Sequence, residues 1–90
     1  MVDAVASYYG LSAEEVVSGS GRAGHRARCI AKHLALRVTH SSLLEIGRHF
    51  GGVHNNNVLH AFRTVQRDMH NNPTFGAEVL MLKASLVSRE

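Results

Sequence analysis

Residues 42–67 read SLLEIGRHFGGVHNNNVLHAFRTVQR and decide the fold. The stretch has the pattern of a helix, a glycine-containing turn and a second helix that opens on Asn55, Asn56 and Asn57. Two helices joined in this way form the helix-turn-helix unit, which places its second helix in the major groove of DNA. Asparagine suits such a position because its amide can bond bidentately to adenine. The stretch therefore predicts a helix-turn-helix that reads DNA.

A long basic helix is predicted just before this unit, from about residue 23 to residue 38. Its apolar positions, Ala27, Ile30, Ala31, Leu34 and Val38, follow the spacing of one helical face. The opposite face carries Arg26, Arg28, Lys32 and His33. This pattern predicts a helix with one buried side and one exposed basic side.

Shorter helices are predicted toward both ends of the chain. The first covers residues 2–9, and a Ser-x-x-Glu capping box at Ser12 opens a brief second helix. The run Ser18-Gly19-Ser20-Gly21 predicts a flexible loop, and Asn72-Pro73 precedes a last helix over about 74–88. No alternating pattern of strand length is present. We therefore expect an all-α, compact bundle of five to six helices, forming a single domain over residues 1–90.

Positive charge is concentrated in the middle of the chain. Between Arg22 and Arg67 lie eight Arg and Lys side chains and one acidic residue, Glu45. The other acidic residues lie nearer the two ends. A central basic block with acidic flanks favours a polyanionic partner over a surface that is basic only for solubility.

Several other classes of protein fit the sequence poorly. The single cysteine, Cys29, excludes an internal disulfide, and no apolar run approaches the roughly 20 residues of a membrane span. Seven histidines are present without metal-ligand spacing, so we expect no metal and no cofactor. Cys29 with a histidine is the only conceivable nucleophilic pair, and its position beside an apolar stripe predicts a small buried hydrophobe. We expect a non-enzymatic, cytoplasmic protein.

The asparagine triplet has a structural explanation as well as a functional one. Asparagine caps helices, so one of the three is expected to serve only as the cap of the second helix. All three cannot do so, and asparagine is a poor helix former. The remaining one or two are therefore expected to face DNA, with a bias toward A·T-containing sites.

The chain resembles, over nearly its whole length, the C-terminal DNA-binding domain of the bacterial replication initiator DnaA. The resemblance implies a Trp-repressor-like helix-turn-helix, and with it a role in replication initiation. It is carried by the opening segment VDAVASYYGLSAEEVVS, by the basic helix from Arg28 to Val38, and by two runs in the helix-turn-helix. Those runs are HSSLLEIGRHFGG and, in the second helix, Val58-Leu59-His60-Ala61.

The chain departs from the family where the family reads bases. The family signature is Gly-Gly-Arg-Asp-His-Thr-Thr-Val-Leu-His-Ala, and here the five central positions are Val53, His54, Asn55, Asn56 and Asn57. A phosphate-binding lysine of the family falls near Leu36, with Arg37 beside it. The family's loop arginine, which enters the minor groove, has its nearest equivalent in Arg22. A site different from the standard DnaA box is therefore expected.

These patterns and the resemblance together assign candidate DNA contacts. Predicted base contacts are His54, Asn55, Asn56, Asn57 and Arg22. Predicted phosphate contacts are Arg26, Arg28, Lys32, Arg37, Arg48, His60 and Arg63.

The leading interpretation is a duplex-DNA-binding domain, monomeric when isolated and open to attachment to other modules of a larger protein. The rival interpretation is a protein-interaction module that keeps the fold but has lost sequence-specific DNA binding. The uncharged Val53 in the turn favours the rival, whereas the basic block favours DNA.

Overall fold

The computed structural model describes residues 2–87, and within them it contains six helices and no strand. The all-α prediction is confirmed. The predicted end of the last helix at Ser88 lies outside the described residues. The helices are α1 (Val2–Tyr9), α2 (Ala13–Ser18), α3 (Gly21–Val38), α4 (Leu43–His49), α5 (Asn55–Asn71) and α6 (Pro73–Val87).

Helix α3 is the centre of the molecule and packs against each of the other five helices. Its predicted apolar stripe is buried at Ala27, Ile30, Ala31 and Leu34, whereas Val38 is only half-buried. Both capping boxes are present, with Ser12 bonded to Glu15 and Ser42 bonded to Glu45. A single apolar core joins residues from all six helices.

The predicted flexible loop at residues 18–21 is wrong in its extent. Ser18 ends α2 and Gly21 begins α3, so only Gly19 and Ser20 connect the two helices. Gly19 adopts the left-handed conformation that closes a helix, with φ of 71°. Local closure of α2 thus lets α3 start two residues earlier than predicted.

The turn between α4 and α5 depends on a very close approach at Gly47. The carbonyl oxygen of Gly47 accepts the amide hydrogens of Gly52 and Val53, at 2.9 and 3.0 Å. A Cβ atom at Gly47 would lie 2.3 Å from the carbonyl oxygen of Val53. Gly51 and Gly52 have φ of 91° and 80°, and Phe50 before them is 1% exposed. This geometry fixes the direction in which α5 leaves α4.

The first and last helices, α1 and α6, are connected by a hydrogen bond. The Tyr9 hydroxyl donates a hydrogen bond of 2.6 Å to Oε1 of Glu78. Burial, with help from Glu78, raises the pKa of Tyr9, so this hydroxyl stays protonated. Helix α6 starts as predicted, with Asn72 Oδ1 accepting the Phe75 amide hydrogen at 3.3 Å.

Candidate nucleic-acid interface

The first turn of α5 is capped by a histidine and not by an asparagine. His54 has extended backbone angles, and its Nδ1 accepts the amide hydrogen of Asn56 at 3.0 Å. The expectation that one asparagine serves as the cap is therefore wrong. The family signature has aspartate, a strong N-cap residue, at this position, and that signal could have identified the cap.

All three asparagines consequently lie inside the first turn, and all three are exposed. The structure shows no hydrogen bond from the Asn55 or Asn56 side chain to any described residue. Asn57 differs, because its Oδ1 accepts a hydrogen bond of 2.5 Å from Nζ of Lys32. The exposed surface at the start of α5 thus offers two free amides and one that is held.

A basic cleft of about 190 Å³ lies between α3 and α5, next to this turn. It brings together four of the predicted contact residues, Arg28, Lys32, Asn57 and His60, which come from two helices. The complete lining is His25, Arg28, Cys29, Lys32, Asn57, His60, Ala61 and Thr64.

Lys32 and His33 do not lie on an exposed face, so that prediction is wrong. Lys32 is 3% exposed and His33 is fully buried. Burial, with a smaller contribution from Arg28, lowers the pKa of Lys32. Its ammonium group is directed at Asn57 and lies 5.7 Å from the centre of the Phe50 ring. A phosphate contact by Lys32 stays a prediction, and its burial does not favour it.

His33 joins α3 to α5 as a neutral ring. Its Nδ1 lies 3.2 Å from the carbonyl oxygen of Phe62, and its Nε2 lies 3.0 Å from Nε of Arg37. A carbonyl only accepts and a guanidinium only donates, so Nδ1 carries the proton and Nε2 does not. Burial lowers the pKa of His33, and Arg37 and Lys83 act in the same direction, against the Phe62 hydrogen bond.

Arg28 and Arg37 are engaged within the protein. Arg28 is half-buried and donates to the carbonyl oxygen of Phe50 at 2.9 Å and to that of Ser18 at 3.5 Å. It thereby ties α3 to the ends of α2 and α4. Arg37 bonds to His33 and, at 3.3 Å, to Gln66 of α5. Arg28 thus positions α2 and α4 on α3, and Arg37 helps to position α5.

Four other predicted contact residues, Arg22, Arg26, Arg48 and Arg63, are exposed. In residues 2–87 the one ion pair joins Arg67 and Asp68, at 3.8 Å, so none of the four is neutralised by a described carboxylate. Arg26 lies over the Phe75 ring at 4.4 Å. The four belong to α3, α4 and α5, which are the helices around the glycine turn.

Arg63 lines a second, open groove along α5 with Leu59, Phe62, Gln66, Arg67 and His70. Arg63 follows His60 by three residues, so the two side chains are neighbours on the helix surface. The basic surface of the cleft therefore continues along α5 to Arg63.

The described residues offer little for catalysis or metal binding. Burial raises the pKa of the Cys29 thiol, which makes the thiolate less available. Residues 2–87 contain no group of three or more His, Cys, Asp or Glu side chains that could hold a metal ion. In the same range, no helix is long and apolar enough to cross a membrane.

Residues 1–65 match the family described as the bacterial dnaA protein helix-turn-helix. The chain belongs to this family. The predicted resemblance is therefore confirmed, and the match includes α1 to α4 and the first part of α5.

Curated DnaA proteins are similar to almost the whole chain. The chromosomal replication initiator protein DnaA of Agrobacterium fabrum is 40% identical over 80 residues, which cover 88% of this chain and 16% of that protein. The protein of the same name from Nitrobacter hamburgensis is 39% identical over 83 residues, covering 91% and 18%. That of Anaplasma marginale is 33% identical over 79 residues, covering 87% and 17%. The chain thus spans less than a fifth of the length of these relatives.

Proposed function

We propose that this member of the DnaA helix-turn-helix family binds duplex DNA through α4 and α5, at a site different from the standard DnaA box. The observation that carries the proposal is the first turn of α5, where Asn55, Asn56 and Asn57 are exposed next to the basic cleft that Arg28, Lys32 and His60 line. Phosphate contacts fix orientation, and base edges supply specificity. The domain has both kinds of group on the helix that a helix-turn-helix inserts into the major groove.

The basic side chains divide into two groups under this proposal. Arg26, Arg48, His60 and Arg63 are exposed and contact the DNA backbone. Arg22 is exposed in the first turn of α3 and enters the minor groove. Arg28 ties α3 to the ends of α2 and α4, whereas Lys32 and Arg37 hold α5 in place through hydrogen bonds to Asn57 and Gln66.

The altered first turn supports a non-standard site. His54 takes the capping position, so its Nδ1 is occupied by the Asn56 amide and is not free for a base. Asn55 and Asn56 then provide the free amides, which favour adenine. Binding needs no cofactor and no catalysis, and the isolated domain acts as a monomer.

A competition assay tests both parts of this proposal. The domain is bound to a labelled random-sequence duplex and challenged with either unlabelled random duplex or a standard DnaA-box duplex of equal length. We expect binding, with the two competitors equally effective. A DnaA box that competes at least tenfold better would contradict the altered site. Absence of binding to any duplex would contradict DNA binding itself.

The rival function, a protein-interaction module, has a structural observation in its favour besides the uncharged Val53 in the turn. Tyr8, Leu80 and Met81 are 45%, 56% and 55% exposed although they are large and apolar. Tyr8 and Met81 line a cleft of about 310 Å³ between α1 and α6. Loss of DNA binding in the competition assay would make this surface the main candidate for function.

A further inference from the structure

The contact between Lys32 and Asn57 links a buried cation to the DNA-facing turn. Lys32 Nζ lies 2.5 Å from Asn57 Oδ1, and the two residues come from different helices. Lys32 is 3% exposed, whereas Asn57 is exposed. The lysine therefore holds Asn57 from the protein side and leaves the rest of its amide open to solvent.

The chemistry of the two groups fixes the orientation of the amide. A lysine ammonium group has three hydrogens to donate and nothing to accept with. The Asn57 atom that faces Lys32 must therefore be the oxygen, and the NH₂ group must face away. The Asn57 Nδ2 atom has no hydrogen-bond partner among residues 2–87, so its two hydrogens are free.

We infer that Lys32 makes Asn57 a donor-only reader that selects guanine over adenine at one base pair. This inference rests on the proposed function. Guanine offers two acceptors in the major groove, N7 and O6, whereas adenine offers the N7 acceptor and the N6 donor. A free asparagine matches adenine with one donor and one acceptor. Lys32 holds the Asn57 oxygen toward the protein, so only the NH₂ group of Asn57 faces outward and an adenine N6 group would meet no acceptor there.

The neighbouring asparagines provide an internal contrast. Asn55 and Asn56 have no side-chain hydrogen bond to a described residue, so each amide can turn to present both its oxygen and its NH₂ group. The three asparagines are the same residue type, but in the fold only Asn57 has its side-chain oxygen held by a hydrogen bond. The A·T bias expected from the sequence therefore applies to Asn55 and Asn56 and is reversed at Asn57.

Selection from a randomised duplex library tests the inference with wild type, Lys32→Met and Asn57→Ala. The base pair read by Asn57 is the one at which Asn57→Ala loses its preference. At that pair we expect wild type to favour guanine over adenine by about 5- to 150-fold, the range of a good bidentate contact. Lys32→Met frees the Asn57 oxygen, so the preference at this pair is expected to move toward adenine by about fivefold or more, with the other pairs unchanged.

A second variant keeps the test valid if Lys32→Met folds poorly. Asn57→Asp retains an oxygen for Lys32 and removes both donors. We expect it to melt no lower than wild type and to lose the guanine preference. Asn71→Asp is the matched control, because it adds the same charge at the exposed far end of α5 and is expected to keep that preference.

The outcomes separate this inference from the proposed function. If wild type binds duplex DNA and Lys32→Met or Asn57→Asp selects guanine as wild type does, the inference is wrong and the proposed function stands. A wild-type preference for adenine at the Asn57 pair, or no preference there, would also overturn it alone. Failure of wild type to bind any duplex would overturn both.

Discussion

At the scale of single residues, two buried polar side chains of α3 explain how α5 is held at the site. Lys32 and His33 are adjacent in α3, and both are buried against α5. Their partners, Asn57 and the Phe62 carbonyl, lie 25 and 29 residues further along the chain. A buried polar group costs free energy unless it is hydrogen-bonded, so these contacts fix α5 in one position against α3.

The neutral state of His33 predicts a loss of stability in mild acid. Burial lowers its pKa in the folded protein, so the unfolded chain binds the proton more readily below its ordinary pKa of about 6.5. The contribution of His33 to the free energy of unfolding is complete above that pH. It decreases as the pH falls through the lowered pKa, by at most about 1.4 kcal/mol per pH unit. His33→Gln should lower the free energy of unfolding by on the order of 1–2 kcal/mol at pH 7.5, because two hydrogen bonds are disturbed.

Urea unfolding at pH 7.5 and pH 5.5 measures this effect. The free energy of unfolding should decrease less between the two pH values in His33→Gln than in wild type. His40→Gln is the matched control, since His40 is exposed, and it should keep the wild-type dependence. An equal decrease in wild type and His33→Gln would show that another group is responsible.

Phe50 is the residue whose truncation should destabilise the domain most. It is 1% exposed, and its carbonyl oxygen accepts the Arg28 hydrogen bond. Phe50→Ala should lower the free energy of unfolding by about 3–5 kcal/mol. Leu44→Ala, at a 50% exposed position on α4 just before Phe50 in the chain, should change it by less than about 0.5 kcal/mol. Similar thermal midpoints for the two variants would contradict the packing of Phe50.

At the scale of helices, most of the fold could be predicted because its signals are local. The two capping boxes, the glycine turn and the apolar stripe of α3 each lie within a short stretch of sequence. The cap of α5 was not predicted, because an imidazole nitrogen of His54 accepts the hydrogen bond that an asparagine oxygen was expected to accept. The Lys32–Asn57 and His33–Phe62 contacts were missed because no local pattern contains residues from two helices.

The cap at His54 should stabilise α5 measurably. His54→Ala removes the acceptor for the Asn56 amide hydrogen and should cost about 0.5–2 kcal/mol. His60→Ala removes the same side chain from an exposed position inside the helix and should cost less, because alanine favours helix. Denaturant unfolding of both variants tests this order. A His54→Ala variant as stable as wild type would show that the imidazole does not act as a cap.

The close approach at Gly47 should make this position intolerant of any side chain. Alanine normally stabilises a helix interior relative to glycine by about 1 kcal/mol. Here the added Cβ would meet the Val53 carbonyl oxygen at 2.3 Å, so Gly47→Ala should instead lower the free energy of unfolding by at least about 1–3 kcal/mol. Thermal melting measures the sign directly. A stabilised Gly47→Ala variant would mean that α4 and the turn are further apart.

At the scale of the whole molecule, the distribution of charge distinguishes the two proposed functions. Exposed arginines without described acidic partners lie on α3, α4 and α5. Of the four large apolar side chains that are exposed among residues 2–87, Tyr8, Leu80 and Met81 belong instead to α1 and α6, and Leu44 belongs to α4. DNA binding uses the first surface and requires release of counterions from the DNA backbone, whereas apolar protein binding uses the second and does not.

The salt dependence of duplex binding measures whether α4 and α5 contact DNA phosphates. With four to six phosphate contacts, the logarithm of the association constant should fall against the logarithm of salt concentration with a slope of about −4 to −5. Arg48→Gln and Arg63→Gln should each make the slope shallower by about 1, whereas Lys83→Gln on α6 should leave it unchanged. Binding that is absent at low salt, or that does not change with salt in wild type, would contradict a DNA-binding surface on α4 and α5.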